Sequence, residues 1–319
     1  MGYKLAGCDV IGANDIDPEM AWHYKVNLNP RLYYLCPIRD LLTAALPSEM
    51  FQLDILDGSP PCSTFSMSGG REDDWGKEKH FREGQAKQVL SDLFFDFLDL
   101  VARLKPKAVI AENVKGMLIG NAKGYTKLVV QRFHELGYKV QVFLLNAADC
   151  GVPQRRERVF FCAVRDDVSS KALEVSLKSP HVNIGNACAD IQNLSNEERE
   201  ANRPSPKPAR LWSMTKPGCS LRDANMRDAG FDGWFTWHRL NHRQLCPTIV
   251  AADTCLHWNT PRHLTFREIK RLGSFPDDYQ AKSEKIGKYM VGMSVPPFMA
   301  RDVAKAVCSQ WLGVKYGPA

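Results

Sequence analysis

Short apolar runs alternate with amphipathic helical stretches through the first half of the chain, and this alternation restricts the fold more than any other feature. A strand is expected at 8–13, followed by a helix that Asp17 would cap with Pro18 at its first position. A second strand is expected at 51–56. Residues 85–104 place Val89, Leu93, Phe94, Phe97, Leu98, Val101 and Leu104 on one helical face, and 108–111 form a buried strand directly after it. A further helix is expected at 126–136, stopped by Gly137. Strands separated by helices pair in parallel, so the expected class is α/β with a doubly wound, mostly parallel sheet.

Beyond residue 140 the pattern changes. Two apolar runs, 140–145 and 159–164, flank a polar turn and predict an antiparallel hairpin at the edge of the sheet. Residues 165 to about 245 lose this periodicity and are rich in Pro, Asn, Ser and Arg, so they read as a smaller second domain or a long insertion. A last helix is expected at 298–312. The implied organisation is a catalytic and cofactor-binding domain at 1–164, a second domain at 165–255 and a return to the first at 256–319. Two segments read as mobile: the polar stretch 63–88 as a lid, and 202–216, with Pro204, Pro206 and Pro208, as a linker.

With 44% hydrophobic and 24% charged residues over 319 positions, the chain can bury a sizeable core, which excludes disorder and fibre. No apolar run approaches the roughly 18 residues of a membrane span, and the first residues lack a basic segment followed by an apolar one. Cytoplasm is the expected location. The ten cysteines come no closer than Cys246 and Cys255, which suggests neither a close-spaced zinc site nor a disulfide scaffold. The net charge of +6 is divided unevenly, about −2 over 1–150 and +8 over 151–319, which makes the second half a candidate polyanion-binding surface.

Three clusters carry chemistry. Ser59-Pro60-Pro61-Cys62-Ser63-Thr64-Phe65-Ser66 follows a predicted parallel strand, and open α/β sheets bind ligands outside the carboxyl ends of their strands. The strand 108–111 runs into Glu112-Asn113-Val114, which brings a carboxyl group to the same edge. The hairpin then contributes Gln154-Arg155-Arg156-Glu157-Arg158, in which strand alternation points Arg156 and Arg158 to one face.

In that order these residues resemble the cytosine-5 DNA methyltransferases of bacterial type, nearly end to end. Pro61-Cys62 is similar to the nucleophile motif, Glu112-Asn113-Val114 to the acid motif, and Gln154 to Arg158 to the Gln-x-Arg-x-Arg motif. Arg262-His263-Leu264-Thr265-Phe266-Arg267-Glu268, with Arg271-Leu272 and Phe275-Pro276-Asp277, matches the late structural motif, and Gly292-Met293-Ser294-Val295-Pro296-Pro297 the final one. The resemblance implies a Rossmann-like methyltransferase fold whose second domain recognises the target in double-stranded DNA. It also implies an enzyme that moves a methyl group from S-adenosyl-L-methionine to carbon 5 of a flipped cytosine.

By the same resemblance Cys62 adds to carbon 6, Glu112 protonates N3, Arg158 donates to O2, and Arg156 orients Glu112 or a phosphate. Asp15, Asp40, Leu93 and Ser294 match the cofactor-binding positions. Ser66, Arg239 and Arg243 are expected to face DNA, the last two within 223–242 and its continuation, near Trp234 and Trp237. A cognate restriction endonuclease is expected at the level of the system, no metal is expected, and the protein is expected to be a monomer.

The chain departs from the family pattern at Ser63, Pro60, Ile16 and Met293, where Gln, Phe, an aromatic residue and Asn are common. It also begins just after the point where the family carries its glycine-rich cofactor turn, so the first strand and its loop are expected to be missing and Met1 to be an internal methionine. An inactive DNA-binding remnant and an RNA cytosine-5 methyltransferase remain the alternative readings of the sequence.

Overall fold

The computed structural model describes residues 1–60, 93–120 and 122–315, together with the backbone of two short strands at 78–79 and 88–89. The chain opens with a helical turn α1 (Gly2–Leu5), strand β1 (Gly12–Asp15), helix α2 (Pro18–Leu28) and strand β2 (Leu32–Leu35). The Asp17 side chain accepts from the amides of Glu19 and Met20, Pro18 occupies the first turn of α2, and Asn29 ends it in the left-handed region. This is the cap the sequence predicts.

β1 and β2 pair in parallel, Gly12 opposite Leu32 through Asp15 opposite Leu35. The expected strand at 8–13 is therefore displaced toward its C-terminal end, because Gly7, at φ 81°, and the Cys8 amide bonded to the Tyr3 carbonyl extend the turn of α1. Likewise Pro47 starts a 3₁₀ turn at Ser48–Phe51, and strand β3 (Ile55–Gly58) begins later than expected.

Strands β4 (Glu78–Lys79) and β5 (Gln88–Val89) pair antiparallel with each other. Helix α3 (Leu93–Leu104) is shorter than the helix expected at 85–104, since Gln88 and Val89 belong to β5, and it leads to β6 (Ala108–Val114), α4 (Ala122–Glu135) and the hairpin β7 (Tyr138–Asn146) and β8 (Glu157–Arg165). The sheet order is β3-β6-β8-β7, with β3 parallel to β6 and the hairpin antiparallel, its β7 at the edge as predicted.

Alternation along β6 and β8 builds a core on each face. Ala108, Ile110, Phe160, Cys162 and Val164 pack with Met299, Val303, Ala304 and Val307 from the last helix, while Val109, Ala111, Val159, Phe161 and Ala163 pack with Phe94, Phe97, Leu98, Val101, Val129 and Phe133 from α3 and α4. Among the described residues, β1-β2 and the four-stranded sheet do not pair with each other, and a cluster around Leu41, Met50, Leu100 and Leu104 joins them through Leu32 and Leu56.

Five helices follow: α5 (Ile184–Ala187), α6 (Asn196–Ala201), α7 (Pro206–Ser213), α8 (Arg222–Ala229) and α9 (Phe266–Leu272). Among them lie the short strands β9 (Cys219–Ser220), β10 (His238–Arg239) and β11 (Cys255–Leu256). Helices α10 (Glu284–Met293) and α11 (Pro297–Gln310) complete the chain. A small core of Leu211, Leu221, Ala224 and Leu256 lies under Trp212, Trp234 and Trp237. A larger one takes Ile184, Cys188, Leu240, Cys246, Ile249 and Cys255 together with Leu264, Ile269, Leu272 and Val291, so it draws on both sides of residue 255. No helix among the described residues is long and apolar enough to cross a membrane.

His257 stacks on Trp258 at 3.8 Å between ring centroids, and its Nδ1 faces the amides of Asn259 and Thr260. Those amides need the neutral ring, and burial, helped by Arg262 and opposed by Glu268, pushes its pKa down to about 4. The folded state thus binds fewer protons than the unfolded chain between pH about 4 and 6.5, and stability rises with pH through that window. We expect thermal unfolding midpoints to fall as pH drops from 6.5 to 4, His257 accounting for up to about 3 kcal/mol. His257→Gln should make that slope shallower; an unchanged slope would contradict the assignment.

Candidate active site

The site is built where β6 and β8 leave the sheet. Glu112 lies opposite Phe160 and Val114 opposite Arg158, so Glu112 and Arg158 are diagonal neighbours on one face. Their side chains meet there, Arg158 Nε to Glu112 Oε1 at 2.9 Å, with 15% and 12% of each side chain exposed. Burial pushes the Glu112 carboxyl up, opposed by Arg158, then by Arg156 and a hydrogen bond with Ser59. A carboxyl so placed gains from holding a proton, while the Arg158 guanidinium, which also donates to the Glu157 carbonyl, keeps donors in reserve for a polar atom brought beside it.

The next residue fixes the neighbouring turn. Asn113, 4% exposed, donates from Nδ2 to the Pro60 carbonyl at 3.0 Å and accepts the Val114 amide on Oδ1. The chain that runs on toward position 62 is thereby tied to the carboxyl end of β6. Cys62 and Ser66 themselves lie outside the described residues. The sequence does not assign Asn113 this role, although its place inside the Glu-Asn-Val tripeptide is a signal.

The turn before β8 alternates strictly. Gln154, Arg156 and Arg158 face inward, while Arg155 and Glu157 face out and Glu157 pairs with Lys115 at 2.8 Å. Gln154 accepts the Ile249 amide and donates to the Leu272 carbonyl. Arg156, 2% exposed, donates to the carbonyls of Ile249 at 2.7 Å and Gly292 at 2.9 Å. Arg156 thus shares the face of Arg158, as alternation predicts, but its hydrogen bonds go to backbone carbonyls of two distant segments. It fastens the hairpin to the end of α10. Glycine is required at 292 because an added Cβ would lie 2.3 Å from the Val250 carbonyl oxygen.

The four expected cofactor positions fall on two sides. Asp15 ends β1, where burial raises its carboxyl and one oxygen accepts the Asp17 amide at 2.9 Å. Asp40, exposed, lies in the 3₁₀ turn Ile38–Leu42 after β2, at the same carboxyl edge. Leu93 is buried at the start of α3, and Ser294 caps the end of α10, its hydroxyl donating to the Met290 carbonyl at 2.6 Å. Among the described residues, no group of three His, Cys, Asp or Glu side chains is arranged to hold a metal ion.

Arg239 and Arg243 occupy different settings. The Arg239 guanidinium lies 3.7 Å from the centre of the Trp212 ring and donates to the carbonyls of Thr215 and Trp258. Its donors brace the segments around Thr215 and Trp258. Arg243 is exposed on the turn after β10.

Replacing Asn113 by Ala leaves the Pro60 carbonyl unpaired in a buried place, at about 1–3 kcal/mol of stability. We expect Asn113→Ala to fold, to lose that amount in urea unfolding, and to lose at least about 10-fold in turnover because the turn before Cys62 is released. Unchanged turnover would show that the Asn113 tie does not position the site.

Comparison with known proteins places the chain in a family. The sequence matches the family model for C-5 cytosine-specific DNA methylases over residues 1–309. It is 30% identical to the type II methyltransferase M.NgoFVII of Neisseria gonorrhoeae, over 96% of this chain and 82% of that protein. It is 28% identical to the type II methyltransferase M1.HphI of Haemophilus parahaemolyticus, with the same coverage of each. The crystal structure of a prophage-encoded E. coli protein, assigned as a DNA modification methyltransferase, superposes with a TM-score of 0.68 at 21% identity, covering 98% of this chain and 95% of that one, a likeness of fold. With the family model spanning nearly its whole length, the chain belongs to the C-5 cytosine-specific DNA methylases.

Proposed function

We propose that the protein methylates carbon 5 of a cytosine flipped out of double-stranded DNA, with S-adenosyl-L-methionine as methyl donor. The observation that carries this reading is the buried Glu112–Arg158 pair beside the anchored turn that leads to Cys62. Carbon 5 of cytosine is a weak nucleophile, so the Cys62 thiolate adds at carbon 6 and forms a sulfur–carbon bond. The electron pair of the 5,6 double bond moves to carbon 5, and the proton of Glu112 passes to N3 as charge develops on the ring. Arg158 donates to O2.

Once carbon 5 carries the methyl group, its proton passes to water, the 5,6 double bond re-forms with expulsion of the thiolate, and N3 returns its proton to Glu112. The target carbon is out of reach inside a stacked duplex, so the base must leave the helix at about a few kcal/mol, offset by phosphate contacts. The basic second half, with Arg243, suits those contacts together with Ser66 from the first half, and the segment 165–255 is assigned to target recognition. Arg239 acts indirectly, as a brace for that segment.

Asp15 and Asp40, two acids at the carboxyl edge of a parallel strand pair, suit the hydroxyl and amino groups of the donor's nucleoside, with Leu93 and Ser294 against its remaining parts. Asp15 fits best, since a half-buried carboxyl whose desolvation raises its pKa gains by accepting hydroxyl donors. The donor, when bound, supplies an electrophilic methyl group on a sulfonium. Cytoplasmic location, a monomeric state and a cognate endonuclease accompany this reading.

Transfer of labelled methyl groups from S-adenosyl-L-methionine to duplex DNA tests it. Incorporation should vanish in Cys62→Ala and fall about 10²–10⁴-fold in Glu112→Gln, which cannot deliver a proton. Absence of incorporation by the wild-type chain, or transfer only to RNA, would overturn the reading. Because the raised Glu112 carboxyl must be protonated and Cys62 ionised, turnover should decline on both the acid and the alkaline side; a flat profile from about pH 5 to 10 would exclude both roles.

A further inference from the structure

Of the three arginines between Gln154 and Arg158, Arg158 faces the substrate base and Arg156 fastens the hairpin, which leaves Arg155. Arg155 faces out while its neighbours face in. Its backbone is held tightly: its amide donates to the Cys246 carbonyl at 2.8 Å, its own carbonyl accepts the Thr248 hydroxyl at 2.7 Å, and the adjacent Gln154 forms a bridge with Cys246. Fixed at its base and exposed at its tip, the Arg155 side chain makes no hydrogen bond or ion pair with any described residue.

Arg155 forms one wall of a cleft of about 100 Å³. The opposite wall comes from the recognition segment: His238, Arg239, Asn241 and Gln244, with Gly218 between. Gly218 has φ 89°, and an added Cβ would lie 2.7 Å from Gln244 Oε1, so the wall closes tightly on that side chain. Leu240, Leu245 and Pro247 complete the lining, the Arg239 guanidinium is turned away onto Trp212, and among the described residues no carboxylate lines this space, so Arg155 is its free cation. Arg243 stands on the turn between Asn241 and Gln244 and extends the positive rim.

Positive charge collected without a counter-charge, three positions along the chain from Arg158, asks for an anion that arrives with the substrate. We propose that the Arg155 cleft binds a backbone phosphate of the substrate duplex, so that one phosphodiester is gripped between the catalytic hairpin and the recognition segment. The inference rests on DNA being the substrate, and it gives Arg155 a positioning role. A phosphate held between the two walls fixes where the sugar of the target strand stands relative to Glu112 and Arg158, and couples the register of the recognition segment to the site.

The test is the salt dependence of duplex binding by the full chain, without turnover. Each phosphate neutralised contributes about 0.9 to the slope of log Kobs against log salt. Arg155→Ala should make the slope shallower by about that amount and raise KM for DNA about five-fold, the loss falling on KM more than on kcat. Arg155→Lys should keep the slope, because it keeps the charge. Lys139→Ala, at the far end of the hairpin, should leave the slope unchanged.

An Arg155→Ala slope equal to wild type, or a Lys139→Ala slope changed as much as that of Arg155→Ala, would overturn the proposal. Loss of slope in Arg155→Lys as well would mark a structural role and overturn it too. Absence of methyl transfer by the wild type would refute the enzymatic reading, while the binding slopes would still report on the cleft.

Discussion

The register between β6 and β8 is the constraint on which the rest depends. Pairing Glu112 with Phe160 and Val114 with Arg158 puts a carboxyl and a guanidinium on one face, close enough to bond and buried enough to influence each other. A slip of one residue would send Arg158 to the opposite face and lose the pair. The register is held by two cores, since every second residue of these strands packs against α11 on one side and every other against α3 and α4 on the other. The chemistry at the strand ends is therefore secured by apolar contacts along their whole length.

A second device ties the remote third of the chain to that edge. Gln154 and Arg156 alternate with outward residues and bond to Ile249, Leu272 and Gly292, segments that the sequence separates by about a hundred positions. These are charge-assisted or fully buried hydrogen bonds, stronger than their exposed equivalents. Together with the close approach at Gly292 they make the end of α10, where Ser294 stands, part of the same rigid body as the hairpin.

Much of this was legible in the sequence, for physical reasons. Strand alternation predicted the hairpin and the shared face of Arg156 and Arg158, an Asp-Pro cap marked α2, and Gly137, at φ 80°, stopped α4. Strand β2 and helix α10 were not anticipated, because Leu32–Leu35 is too short to show a period and α10 mixes Gly and Lys into its apolar face. The partners of Arg156 were invisible because they are carbonyl groups, which leave no trace in residue identity. The same holds for Arg239, whose stacking on Trp212 depends on tertiary placement. Arg155 carries no signal in the sequence, because its neighbours match a motif in which its own position carries no required residue type.

The apolar cluster that runs from Ile184 through Leu240 and Ile249 to Leu272 and Val291 has a consequence for how such a protein can diversify. A cut at 255 would leave half of that interior on each fragment, so a transplanted segment would arrive with greasy faces that its host could not match. Joints near 192 and 239 would leave this cluster whole and carry across most of the small tryptophan-roofed core, with Leu256 the one member left behind. Interchangeable parts in this molecule end where its interiors end, well inside the limits that changes in composition suggest.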